Sequence, residues 1–336
     1  MKLSSIELVV DVRPHGNADR LEIATVLGWQ TVISKATFAP GDRAVFVVID
    51  TILPVAPWSA FLAHPSSPDK PIRLKTAKIR GEYSQGLLLP LSVLPEHMQD
   101  WQVGADVGGE LGIKKYEKEI PGVLSGMAKG SFPTHFSCKT DEDNGLSNPD
   151  IVKMVLASPE IIITQKLDGS SCTIVWENGI GLLDVCSRNL SIIEDDKNSF
   201  WRAARKLNLD VLNALTQHGD RIVIQGELMG PGIQGNQLKL MEPELFVFQI
   251  RHAALGFLTD GHMRNYATTV GAKCVPLIWC GKPKIISIPS LQATADDMDT
   301  SAGTPAEGIV IRSHPPMTFG NGRPAGFKII SRNYQD

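Results

Sequence analysis

A lysine that could serve as a nucleophile lies in the run Ile161-Ile162-Ile163-Thr164-Gln165-Lys166-Leu167-Asp168-Gly169-Ser170-Ser171. The three isoleucines form a β-rich apolar stretch, and Asp168-Gly169 favours a turn and a positive φ. Lys166 is therefore expected at a strand end or turn, anchored and facing a cleft. A protonated lysine, with an ordinary pKa of about 10.4, attacks nothing; apolar surroundings and nearby cations lower that value and free the amine to attack carbonyl carbon or phosphorus. Lys-x-Asp-Gly arises by chance in roughly one chain of this length in ten. Alone it reads as a surface lysine before a β-turn, unless residues further along agree.

The chain that must position this lysine has 336 residues, 43% hydrophobic and 21% charged, enough for two or three domains with their own cores. A net charge of −3 excludes a global polycation, so contact with nucleic acid has to come from a local patch. Lys70, Arg73, Lys75, Lys78 and Arg80 form one, with no acid between them; a solvated strand face fits them equally well. Five cysteines with no Cys-x-x-Cys spacing argue against a zinc site or a disulfide framework and fit a reducing cytosol. Glu7, Asp11 and Arg13 interrupt any signal-peptide core, and no apolar run is long enough for a bilayer; a cytoplasmic protein without a membrane partner is expected.

Residues 1–115 read as short strands, Ser5 to Val12, Leu21 to Val26, Gln30 to Ser34, Arg43 to Ile49 and Gly86 to Leu89, which suggests a small barrel. Here His15-Gly16-Asn17-Ala18-Asp19-Arg20-Leu21-Glu22, Gly28-Trp29 and Arg80-Gly81-Glu82-Tyr83-Ser84-Gln85-Gly86-Leu87-Leu88 resemble the OB-fold tRNA-binding modules appended to aminoacyl-tRNA synthetases. That family usually has proline where Gly16 stands. The module holds twelve Lys plus Arg against twelve Asp plus Glu, so the stretch Lys70 to Arg80 is its candidate contact with a phosphate backbone. Residues 116–150, with Pro121-Gly122 and the acidic run Lys139 to Gly145, read as a linker leading into a second domain, 151–336. That domain is expected to be mixed α+β, with a helix from Ile151 to Ala157, a longer one from Ser199 to Gln217 and an exposed loop over 290–306. Of the eight histidines, His15, His64, His97, His135 and His218 have no partner spacing and are read as structural or surface residues.

Five further segments follow the lysine: Ser187-Arg188-Asn189, then Gln225-Gly226-Glu227-Leu228-Met229-Gly230-Pro231-Gly232-Ile233-Gln234 and Phe246-Val247-Phe248, and finally Ala306-Glu307-Gly308-Ile309-Val310-Ile311-Arg312 with Gly326-Phe327-Lys328-Ile329-Ile330. In this order they resemble the motifs of the covalent nucleotidyltransferase superfamily, and the Gly-Pro-Gly-Ile-Gln extension and the upstream Lys139-Thr140-Asp141-Glu142 are similar to its RNA ligases. The resemblance implies an OB-like β-barrel followed by a nucleotidyltransferase (ATP-grasp-like ligase) domain of antiparallel sheets with flanking helices. It implies that Lys166 takes AMP from ATP and that Lys328 meets the α-phosphate. Glu227, Glu307 and Asp168 would hold Mg2+ or Mn2+, with Asp168 mattering most once the lysine is adenylylated. Gln165 and Leu167 would flank the nucleotide, and Phe248 would stack on adenine, with Phe246 as fallback. Arg188 would contact a phosphate, and Arg312 is a second candidate.

The superfamily's last motif usually carries two lysines one residue apart; here the second falls on Ile330, and Arg332 is the candidate replacement. DNA ligases and capping enzymes place the OB domain after the nucleotidyltransferase domain, whereas here it comes first, as in nick-sealing RNA ligases. The expectation is a monomeric ATP-dependent RNA ligase for RNA repair, acting on RNA or a nicked RNA/DNA duplex. The rivals are an RNA-binding protein with a degenerate nucleotidyltransferase domain and a DNA ligase.

Overall fold

A computed structural model describes residues 2–63, 65–116, 126–283, 286–319 and 322–334; His64 and Pro121-Gly122 lie outside the described residues. The chain forms two compact units: Met1–Glu119 with Asn144–Pro149 and Ser287–Pro289, and Ile120–Asp143 with Asp150–Ile286 and Ser290–Asp336. None of the described helices is long and apolar enough to cross a membrane.

The first unit is built from short antiparallel strands around Ile6, Val45, Val47, Leu53 and Leu89. Ser5 to Val12 is two strands rather than one. Ser4–Leu8 pairs with Arg43–Val47, then the backbone changes partner, with the Val10 N–H bonding Thr25 O at 2.8 Å, and Asp11–Pro14 pairs with Leu21–Val26. A strand that passes from one sheet to another in this way turns the corner of a barrel.

The second unit contains two sheets. The larger is ordered Ala128–Ser131, Leu190–Ile192, Gly181–Cys186, Ser170–Glu177, Arg221–Met229, Glu244–His252, Gly256–Phe257, so residues 128–131 belong to it. In the other, Gly326–Ile330, Gly308–His314, Glu160–Lys166 and Leu277–Gly281 are consecutive neighbours. The main core lies under the larger sheet, where Ile174, Trp176, Ile222, Ile224 and Ile250 meet Phe200, Trp201 and Leu212.

Two expectations about helices are corrected. Ser199 to Gln217 is not one helix but an α-helix, Ser199–Arg205, and a 3-10 helix, Leu209–Ala214. Asn208 breaks the ladder by giving its N–H to Val270 O at 3.0 Å, and Asn178 caps Thr216 O at 3.1 Å, so the first piece buries Phe200 and Trp201 and the second Leu209 and Leu212. Residues 290–306 are not all loop. Ile288–Asp296 is a helix with Leu291, Gln292 and Ala295 buried, because Pro289 sits in the first turn, where its missing N–H is harmless.

Candidate active site

Lys166 ends the strand Glu160–Lys166, and its side chain shares a sheet face with Ile162 and Thr164. Across the register lie Gly308 and then Ile330 level with Lys166, and Val310 and then Lys328 level with Thr164. Lys328 and Ile330 are half-buried, whereas Phe327 and Ile329 on the opposite face are fully buried. One sheet face therefore presents Lys166 and Lys328 together, with the apolar Ile330 beside Gly308.

Glu307 precedes this sheet's middle strand, and Lys166 Nζ donates to its Oε2 at 2.5 Å, with side chains 21% and 15% exposed. Glu227 comes from the larger sheet, where it lies inside the strand Arg221–Met229. Its Oε1 accepts the Gly169 N–H at 3.1 Å. Gly169 is glycine because of this approach: a Cβ there would lie 2.4 Å from Leu228 O and 2.5 Å from Met229 Sδ. The expected positive φ is not what requires it, since Gly169 is not among the residues with positive φ. Gly169→Ala is expected to lower stability by about 1–3 kcal/mol, the usual range for overpacking. Gly235→Ala, where a Cβ meets nothing within 4 Å, is the control in a urea titration; equal midpoints would remove the crowding argument.

The carboxylates set the charge state. Burial alone pulls the Lys166 ammonium pKa down, but Glu307, Glu227 and Asp168 together raise it above its ordinary value. The expectation of a lysine depressed by apolar surroundings and nearby cations is thus reversed. Glu227 is pushed up to about 7 by burial and by the neighbouring Glu307 and Asp168, against the opposing pull of Lys166 and the Gly169 N–H. No three His, Cys, Asp or Glu side chains among the described residues already form a metal cage. The crowded carboxylates nonetheless fit a further cation, because each added positive charge relieves their repulsion.

Apolar walls adjoin the charges. Leu167, Met229, Phe246 and Val275 pack together, with Phe248 at their edge. The pairing of Gln225 with Gln249 and of Gly226 with Val247 leaves Phe248 as the extra residue of a β-bulge. Phe248 is half-buried and lines a cavity with Ile162, Thr164, Gln249 and Arg312, whereas Phe246 is buried. Gln165 alternates to the face opposite Lys166, and its amide nitrogen is buried with no partner among the described residues.

Three consecutive acids bind three arginines from separate elements. Asp141 pairs with Arg188, Glu142 with Arg312 and Asp143 with Arg323, the last at 2.6 Å. Arg312 also donates to Phe248 O at 3.2 Å and lies 5.1 Å from that ring, so its guanidinium holds the aromatic strand. Sequence reasoning missed these pairs, although the Lys139-Thr140-Asp141-Glu142 resemblance was the available signal. It missed Tyr334 as well, whose hydroxyl donates to Asp168 Oδ2 at 2.5 Å. Arg332 is tied to Asp296, with Nε at 2.7 Å, which argues against its replacing the second lysine.

In the first unit, Lys70, Lys75, Lys78 and Arg80 are exposed. Arg73 is half-buried, bound to Asp50 at 3.0 Å and stacked 3.6 Å over Tyr116, so four of the five cations face solvent.

An OB-fold domain model matches residues 3–91, and an RNA ligase model matches residues 159–330. Solved structures of a Naegleria gruberi RNA ligase resemble nearly the whole chain. The form with pyrophosphate is 31% identical over 98% of this chain and 97% of that one, with a TM-score of 0.78. A glutamate-to-alanine form with ATP and Mn is 30% identical over 99% and 98%, at 0.79. A lysine-to-methionine form with AMP and Mn is 30% identical over 98% and 97%, also at 0.79. A comparison with curated protein sequences finds no significant match. The first domain is an OB fold, and a sheet-rich domain with few helices follows it. With a family model over half its length and a structural likeness over nearly all of it, this chain belongs to the RNA ligase family.

Proposed function

We propose that the protein is an ATP-dependent RNA ligase that joins a 3′-hydroxyl to a 5′-phosphate through an adenylylated lysine. The observation that carries this reading is the convergence of Glu227, Glu307 and Asp168 on Lys166, on a sheet face shared with Lys328. Lys166 Nζ attacks the α-phosphorus of ATP, pyrophosphate leaves, and the amine proton passes to a neighbouring carboxylate. Glu307 is the acceptor already in hydrogen-bond contact. Lys328 meets the negative charge that builds on the α-phosphate, and Phe248, beside the cavity, offers the flat surface for adenine. Leu167, packed with Met229 and Phe246, walls the nucleotide site, whereas Gln165 points to the other face of the sheet and would meet the nucleotide only through its backbone.

The same reading has the RNA 5′-phosphate attack the lysyl-AMP, which frees the lysine and leaves an RNA end capped by AMP. The 3′-hydroxyl then attacks that end, and AMP departs. Mg2+ or Mn2+ would be held by Glu227, Glu307 and Asp168 together with the phosphates of ATP, where it supplies positive charge to offset the transferring phosphoryl group. Arg188, once released from Asp141, suits bidentate contact with a phosphate. Lys70, Lys75, Lys78 and Arg80, with Arg73 bracing them, give the OB domain a track for the RNA backbone. The five free cysteines support a reducing, cytoplasmic setting, and we read the protein as a monomer acting in RNA repair.

Nicked duplexes with each strand made in turn of RNA or DNA test the substrate. Joining should require RNA on the 3′-hydroxyl side, where a 2′-hydroxyl can be read, and should fall steeply between about 50 and 200 mM salt. Equal sealing of all-DNA nicks would point to a DNA ligase, and no adduct with labelled ATP would point to a binding protein.

A further inference from the structure

We propose that Tyr334 is a positioning residue for Asp168, braced by Gln237, and that this brace serves the bond-forming step rather than lysine adenylylation. The inference rests on the ligase reading above. Tyr334 OH donates to Asp168 Oδ2 at 2.5 Å and accepts from Gln237 Nε2 at 3.0 Å, which makes a directed chain from amide to phenol to carboxylate. Gln237 belongs to a shaped loop. Gln234, Asn236 and Lys239 adopt positive φ, Asn236 Nδ2 bonds Leu240 O at 2.9 Å, and Gln234 Nε2 reaches Gly169 O at 3.4 Å. Loop and C-terminal turn thus grip both residues of the Asp168-Gly169 turn. Among the described residues, the bond to Oδ2 leaves Oδ1 as the Asp168 oxygen for a substrate or ion.

The donor's neutrality decides which step it serves. While Lys166 is an ammonium, its charge attracts Asp168. Attachment of AMP turns that ammonium into the uncharged N–H of a phosphoramidate whose remaining phosphate oxygen is anionic, and the attraction disappears. The phenol keeps its hold, because a hydrogen bond from a neutral donor to a carboxylate does not depend on the lysine. Asp168 therefore leans on Tyr334 most after adenylylation.

Single-turnover label transfer from ATP to the protein reads the first step, and joining of a pre-adenylylated RNA nick reads the last. Tyr334→Phe should form the lysyl adduct at a rate within about twofold of wild type. It should slow joining by about tenfold to a hundredfold, the range for one hydrogen bond to a charged group. Combined with Asp168→Asn it should be no slower than Asp168→Asn alone, because both act through one carboxylate. Gln237→Ala should reproduce the same selectivity more weakly. Equal losses in both steps, or losses that multiply in the double variant, would overturn the brace while leaving the ligase reading intact. Absence of any adduct in the wild-type protein would remove the ligase reading and this inference with it.

Discussion

Lys166→Ala is expected to abolish the transfer of AMP from α-labelled ATP to the protein, by about 10⁴-fold or more, as loss of a nucleophile does in covalent catalysis. The informative partner is Lys166→Arg. Arginine keeps a positive charge against Glu307 but offers no amine that can be deprotonated near neutral pH, so it should be equally inactive while folding normally. Alanine instead leaves Glu307 buried without its partner, which is expected to destabilise the protein by about 2–3 kcal/mol. Adduct formation and thermal unfolding, measured on both variants, separate chemistry from structure. A labelled Lys166→Arg protein would show that the nucleophile lies elsewhere.

Glu227→Gln should inactivate the enzyme and stabilise it. An unfolded glutamate has an ordinary pKa near 4.5, whereas Glu227 in the folded chain is raised to about 7. The folded state therefore binds this proton more tightly than the unfolded state, and the corresponding stability is present below pH 4.5 and lost as pH rises to about 7. At pH 8 the ionised carboxylate costs roughly 3 kcal/mol, an order-of-magnitude figure at about 1.4 kcal/mol per pKa unit. Glutamine keeps an oxygen for the Gly169 N–H and carries no charge. Its stability advantage should be largest at pH 8 and vanish near pH 4.5, while adduct formation falls by about 10²–10³-fold. A variant that is active, or no more stable than wild type at pH 8, would contradict a carboxylate held under strain for chemistry.

Much of the site could be read from the sequence because its residues stand where strand alternation leaves little choice. Apolar isoleucines bury Glu160–Lys166, so its last residue faces the cleft, and Glu307 adjoins another apolar run paired with it. The bulge at Phe248 was hidden, because one unpaired residue has no signature in an apolar strand. Asp168, two residues from Lys166, was expected to raise the lysine's pKa, but the larger contributions of Glu307 and Glu227 were hidden. The raised pKa depends on three carboxylates brought together from positions 168, 227 and 307, and spacing along the chain does not measure that approach. The helix at Ile288–Asp296 is short and its buried residues are only Leu291, Gln292 and Ala295, too few to mark an apolar stripe, and the longer helix was overextended because Phe200, Ala204 and Leu212 stay buried across a change in backbone geometry.

Asp141, Glu142 and Asp143 reach partners at 188, 312 and 323, so two of these pairs join segments about half the chain apart in sequence. Contacts of such separation form only after intervening loops close. On the ribosome, the strand bearing Lys166 emerges well before Arg312 and Arg323, and its cleft stays unfinished until those residues are free. The surroundings of Lys166 are thus completed by residues that leave the ribosome more than a hundred positions after it, a delay written into the order of the chain.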